Sequence, residues 1–177
     1  MVQKGLNAYL ETKRSLFPRF YFLSNEELLE ILSETKEPKR VQPHLKKCFE
    51  GIERLHFDDE NKIHAMYSSE GEEVKYTKII DPVLAKGNVE QWLVQVEDVM
   101  IKSVKEIHEK AMQDYNKVER EQWVIKWQGM PVLCCGMMYW TSQAEEAMKK
   151  SGLEGLKGFL EKLERQVSII SHFLVLR

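Results

Sequence analysis

Residues 15–36 read SLFPRFYFLSNEELLEILSETK, and the order of events inside them sets the fold class. Upstream, Leu6, Tyr9, Leu10, Leu16 and Phe17 recur at helical spacing over residues 5–17. Pro18 disfavours helical dihedrals at the residue before it, so that helix ends there. Arg19 to Leu23 reads as an extended run, with Phe20 and Phe22 on one side and Arg19 and Tyr21 on the other. Ser24 followed by Glu27 then forms a capping box ahead of Leu28, Leu29, Ile31 and Leu32, because the hydroxyl and the carboxylate each satisfy an orphan backbone donor. The spacing predicts a second helix over 24–36. The aromatic run between the two helices is expected to be core rather than a ligand site, with Phe17, Pro18, Arg19, Phe20, Tyr21 and Phe22 as its members. Arg19 is the one charge that needs a partner there.

Outward from this junction the texture stays helical, with one interruption. Glu37-Pro38 breaks the second helix, and Pro43 suits the first turn of a third over 43–53, whose inner side is Leu45, Cys48, Phe49 and Ile52. Between residues 62 and 80 the period falls to two: Ile63, Ala65 and Tyr67 precede the polar tip Ser68-Ser-Glu-Gly-Glu-Glu73, and Val74 and Tyr76 follow it. That pattern predicts a β-hairpin with Gly71 free to take positive φ. Asn88 and Gln91 then read as a cap for a helix over 88–116, followed by helices over 117–127, 131–150 and 153–176, separated by Gly129-Met-Pro131 and by Gly152. The segment VLCCGMMYW is apolar enough to predict burial around most of its helix. Leu153, Leu156, Leu160, Leu163, Val167 and Ile170 predict a packed seam. The expected fold is mainly α: an elongated multi-helix bundle in one piece, with one inserted β-hairpin near residues 62–80.

The 177 residues are 43% hydrophobic and 31% charged, a balance that builds a core rather than a disordered chain. A net charge of −2 supplies no general field for nucleic acid or anionic lipid, and no apolar run reaches the length of a membrane span. Neither nucleic acid nor membrane is expected as a partner. Three cysteines make no disulfide framework and read as intracellular. The chain stops at FLVLR after an apolar run with no cap or polar tail, which reads as a cut from a longer polypeptide.

Catalytic chemistry is hard to find. There is no GxxxxGK[ST] phosphate loop, and Gly152, Gly155 and Gly158 read as a helix boundary rather than a phosphate cradle. His44 and Cys48 share a helix face, but zinc needs three or four ligands and no second pair lies at suitable spacing. Cys134-Cys135 reads as two small apolar residues, and His56, His64, His108 and His172 are scattered. No catalytic, cofactor or metal residue is expected. Glu70, Glu72 and Glu73 around Gly71 form a small acidic cluster, either a solvated turn or a protruding contact for a basic surface.

The blocks FPRFYFLSNEELLEILSETKEP, VQPHLKKCFEGI, IHAMYSSEGEEVKY, GNVEQWLVQVEDVM, REQWVIKWQGMPVLCC and YWTSQAEEAM, in this order over residues 5–165, resemble the linker region of dynein heavy chains. LSNEELLEILSETK and KKCFEGI look more like axonemal than cytoplasmic forms, and more like an inner-arm type. CCGMMYWT departs from the family pattern in lacking a polar residue or two before YWT. The resemblance implies a helical rod carrying a hairpin. It lies across a ring of AAA+ modules, bends and straightens as nucleotide turns over, and passes force to the tail. It implies no cofactor in this segment, with ATP and Mg held in the ring. The implied partners are that ring, the remaining linker and tail, intermediate and light chains, and microtubules, in the cytoplasm and the axoneme of a cilium or flagellum.

A lever bends where the fewest helix hydrogen bonds are disturbed, so Pro38, Gly129 and Pro131 are the hinge candidates, and Glu70, Gly71, Glu72 and Glu73 the candidate contact. The competing reading is a free-standing α-helical interaction module, a scaffold or adaptor that presents its aromatic groups to a partner.

Overall fold

The computed structural model describes residues 2–33 and 37–175, with side chains for 3–33 and 37–171. The end of the helix expected over 24–36, the side chain of His172 and the chain end therefore lie outside the described residues. The fold is mainly helical with one small antiparallel sheet. Its elements in order are α1 (Val2–Leu16), α2 (Asn25–Ser33), α3 (Gln42–Cys48), β1 (Arg54–Phe57), β2 (Ile63–Tyr67), β3 (Glu73–Ile80), α4 (Val89–Asp114), α5 (Arg120–Lys126) and α6 (Gly129–Val175). Three short 3-10 turns, Pro18–Phe22, Pro38–Val41 and Pro82–Ala85, each begin at a proline. The chain divides into two compact units, residues 1–104 and 105–177.

In the first unit the aromatic junction is the anchor of the core, though not as an extended run. Residues 18–22 form a 3-10 turn. In that geometry residues three apart stack on one side, so Phe17 and Phe20 go inward together and Tyr21 and Phe22 turn out. Phe17 and Phe20 meet edge to face with ring centroids 4.9 Å apart, and Phe17 also reaches Phe49. Phe22 is 69% exposed, which corrects the expectation that it shares the core side of Phe20.

Arg14, which the sequence reading did not single out, is nearly buried beneath this turn. Its guanidinium donates to Glu11 at 3.0 Å, to the Leu23 carbonyl at 3.2 Å and to Asn25 Oδ1 at 2.9 Å. It thereby ties the end of α1 to the start of α2. The capping box forms as read: the backbone N–H of Ser24 donates to Glu27 Oε2 at 3.0 Å and that of Glu27 to Ser24 Oγ at 3.2 Å.

The helix expected over 43–53 stops at Cys48, because Phe49 turns extended at φ −135° and ψ 98°. The residues after it feed a strand that the sequence reading missed. β1 pairs antiparallel with β2, which pairs antiparallel with β3, so the expected hairpin is the β2–β3 part of a three-stranded sheet in the order β1-β2-β3. The outer edge of β1 is occupied at its centre by a side chain. The Gln42 amide donates to the Leu55 carbonyl at 2.8 Å and accepts from the Leu55 N–H at 2.9 Å, giving the edge what a fourth strand would give it. On β3, Ser103 of α4 accepts from the Thr77 N–H at 3.0 Å.

In the second unit the core is smaller: Ala111, Trp123 and Cys135 are buried, with Tyr115, Val118, Trp127 and Val132 around them. Trp123 donates from its indole N–H to the Ala111 carbonyl at 2.9 Å, and the Tyr139 hydroxyl to the Met112 carbonyl at 2.9 Å. Pro131, Cys135 and Tyr139 are spaced by four and form one inward stripe of α6. Leu133, Met137, Met138 and Trp140 are exposed, so VLCCGMMYW is not buried around most of its circumference. The same holds for Leu153, Leu160 and Val167 of the expected seam. α6 is interrupted where the sequence reading ended a helix: Ser151 leaves helical dihedrals and Gly152 takes φ 56° and ψ −133°.

Candidate functional site

The hairpin tip is built by a short polar turn. The Ser68 N–H donates to the Glu72 carbonyl and the Gly71 N–H to the Ser68 carbonyl, both at 3.0 Å, while Ser68 Oγ accepts from the Glu72 N–H at 3.2 Å. This closure requires φ 84° at Gly71, a conformation that costs a residue with a Cβ about 1 kcal/mol or more. Glu70 and Glu72 are exposed on the turn. The Ser69 hydroxyl donates to Glu70 Oε2 at 3.0 Å and, as the leading cause, holds that carboxyl below its usual range.

Glu73 stands apart from the other two. It is half-buried and accepts a 2.8 Å hydrogen bond from the Tyr67 hydroxyl, whose pKa this bond raises. Arg54 stacks 3.7 Å over the Tyr67 ring. The tip thus gathers Glu70, Gly71 and Glu72, whereas Glu73 belongs to a side-chain relay across the sheet.

At the opposite turn of the sheet, Asp58 accepts from the N–H groups of Glu60 at 2.9 Å and Lys62 at 2.8 Å. It also meets His64 Nε2 at 2.7 Å. Asp58 was not singled out from the sequence, where its signal is an Asp five residues ahead of the first residue of β2.

The hinge candidates occupy different settings. Pro38 is buried and opens the 3-10 turn that enters α3. Pro131 is buried and Gly129 half-buried in the first turn of α6, so the change of direction falls earlier, at Trp127, where φ is −105° and ψ 153°. Arg19 finds the partner it needs: it pairs with Glu97 at 3.0 Å, donates to the Cys48 carbonyl at 3.1 Å and lies over the Phe49 ring. Cys48 itself is a core residue whose burial pushes the thiol up to about 11. Among the described residues no group of three or more His, Cys, Asp and Glu side chains is placed to hold a metal ion. No helix is long and apolar enough to cross a membrane among them.

Residues 1–111 match the family model for dynein heavy chain, N-terminal region 2. The chain belongs to the dynein heavy chain family. It is 53% identical over 169 residues, 96% of its length, to human dynein axonemal heavy chain 12. It is 52% identical over 169 residues, again 96%, to mouse dynein axonemal heavy chain 3. Against human dynein axonemal heavy chain 1 the identity is 53% over 153 residues, 86% of this chain. The chain spans only 4–5% of the length of these relatives. The match to the family model covers the aromatic junction, the sheet and most of α4, and so includes both the hairpin tip and Pro38.

Proposed function

We propose that this chain is a mechanical linker segment of an ATP-driven axonemal dynein motor. It carries conformational change from a ring of AAA+ modules in the same polypeptide to the tail, in the axoneme of a cilium or flagellum. The observation that carries the reading is the match of residues 1–111 to N-terminal region 2 of dynein heavy chains, supported by about half identity to three axonemal types. ATP and Mg bind in the ring on this reading. The intermediate and light chains and the microtubule are engaged by other parts of the heavy chain.

Within that role the hairpin tip is a contact for a basic surface of the ring. Glu70 and Glu72 are exposed, adjacent to the glycine turn, and the hydrogen bond from Ser69 favours the ionised form of Glu70. Bending is assigned to the chain break at Pro38 and to the α5–α6 junction, at Trp127 just ahead of Gly129 and Pro131, where few helix hydrogen bonds are lost.

Charge reversal of Glu70, Glu72 and Glu73 in the whole motor, scored by microtubule gliding velocity and ATPase stimulation, tests the contact; unchanged values return the tip to a solvated turn. Calorimetry tests the division of labour: the 177-residue chain should give no saturable heat with Mg-ATP, and a saturable isotherm overturns the reading.

A further inference from the structure

The segment joining β3 to α4 carries a feature that neither the hairpin tip nor the hinges use. Ile79, Val83 and Leu84 are 52%, 64% and 76% exposed, three large aliphatic side chains within six residues. An isolated exposed leucine needs no explanation, but Ile79 sits near the end of β3 and Val83 and Leu84 are held in the closed hydrogen-bonded turn that follows it. Asp81 Oδ1 accepts from the Val83 N–H at 3.0 Å, the Lys86 N–H donates to the Val83 carbonyl at 3.0 Å, and Asn88 donates twice to the Ala85 carbonyl. Ile80, Pro82, Ala85 and Val89 are buried beneath, so the turn is fastened to the core on its inner side.

Lys86 and Gly87 take positive φ, 50° and 85°, which fixes the exit into α4. A surface so constrained loses little conformational freedom when it docks, which is the usual cost of ordering a loop at an interface.

Charge defines the complement. Lys78 and Lys86 flank the aliphatic group in sequence, and neither side chain forms an ion pair or hydrogen bond among the described residues. We infer that Ile79, Val83 and Leu84 form a preorganised knob that docks into an apolar socket rimmed by carboxylates, located in the same heavy chain outside these 177 residues. Acidic groups on the rim meet Lys78 and Lys86, which sets orientation, while burial of the aliphatic groups supplies affinity. The source is the same polypeptide because relatives are some twenty times longer than this chain, and covalent attachment presents a socket at roughly millimolar effective concentration. A membrane is the poorer complement: two lysines and three aliphatic groups on one turn fall short of an interfacial amphipathic helix with aromatic anchors. The inference rests on the linker reading only in taking the rest of the heavy chain to be present.

The test replaces Leu84 by a diazirine leucine analogue in the full-length heavy chain and maps the photoproducts by mass spectrometry. The expected product is an intramolecular crosslink to a segment beyond these residues in which apolar side chains are flanked by Asp or Glu. Its yield should fall at least fivefold with Lys78→Glu and Lys86→Glu together and recover when the mapped acids are reversed to Lys. Those two substitutions should leave the unfolding midpoint of the 177-residue chain unchanged, separating loss of docking from loss of fold. Absence of a crosslink, products confined to these residues or to another polypeptide, capture of added phosphatidylserine vesicles, or a yield indifferent to the lysines each overturn the inference. The linker reading is tested separately through nucleotide binding and the hairpin glutamates, so failure of one leaves the other measurable.

Discussion

Arg19 and Glu97 join the aromatic junction to α4: the Arg19 Nε donates to Glu97 Oε1 at 3.0 Å while its NH1 holds the Cys48 carbonyl. Hydrogen bonds from a charged donor are worth about 1.5–3 kcal/mol when well desolvated, and this pair is only partly so. Arg19→Met is therefore expected to cost about 1–2 kcal/mol in urea unfolding. Glu97→Gln should cost about 0.5 kcal/mol, because the Cys48 and Phe49 contacts of Arg19 survive it. Equal losses in the two variants would mean that the ion pair alone accounts for the role of Arg19.

Ser24 and Glu27 satisfy each other's backbone donors at the start of α2. Ser24→Ala should lower stability by about 1 kcal/mol, while Ser24→Asp should lose only a few tenths. Hydrogen exchange at the Glu27 amide supplies the local readout: it should quicken in Ser24→Ala and stay protected in Ser24→Asp.

Ser103 is buried on α4 and holds the Thr77 N–H, a donor that would otherwise face solvent on the outer edge of β3. Ser103→Ala should cost about 1 kcal/mol and expose the Thr77 amide to exchange. Ser103→Thr keeps the hydroxyl, so the amide should remain protected even if the added methyl lowers stability. Protection of Thr77 in the alanine variant would show that the edge is covered in some other way.

These contacts mark where the sequence could be read and where it could not. The Ser24–Glu27 box, the Gly71 turn and the Gly152 break were legible because each depends on residues within four positions of one another. The need of Arg19 for a partner was legible from its charge, but the choice of Glu97 was not, since 78 residues separate them.

Phe22 was misplaced because a run of aromatics looks the same whether it is read with period two or with period three, and the tight turn selected three. β1 was missed for a related reason. RLHF is too short to display alternation, and its outer edge is supported by Gln42, a contact that no local pattern announces. The exposed side of α6 was misjudged because composition reports how apolar a helix is, not how many neighbours it has; the stripe through Pro131, Cys135 and Tyr139 faces inward, while Leu133, Met137, Met138 and Trp140 are exposed. At the candidate contact, the acidic tip was visible as composition, whereas the separation of Glu73 from it depends on Tyr67 across the hairpin.

Asp58 organises the β1–β2 turn, and its carboxyl is held below the usual range by His64 first and then by the Lys62 and Glu60 amides. A depressed folded-state pKa adds stability that is present above the unfolded value, near 4, and is lost as pH falls through the folded one. Asp58→Asn should therefore unfold earlier than the parent at pH 7, and the gap should close as pH drops below about 4. A gap that stays constant down to pH 2 would assign the effect to the shape of the turn rather than to the carboxylate.

The break in α6 gives a prediction of opposite signs at neighbouring glycines. A Cβ at Gly155 would lie 2.1 Å from the Ala147 carbonyl oxygen, and Gly152 sits at φ 56° and ψ −133°, where an L residue is strained. A Cβ at Gly158 would meet nothing within 4 Å. Gly155→Ala should therefore force the two parts of α6 to shift against each other, and Gly152→Ala should strain the break itself; both are expected to lower the melting temperature. Gly158→Ala should raise stability by about 0.5–1 kcal/mol, the gain from removing a glycine from a helix interior. Circular dichroism melts of the three variants measure this directly. If Gly155→Ala is stabilised like Gly158→Ala, the close approach of Gly155 to Ala147 does not persist in solution and α6 runs differently through residues 147–158.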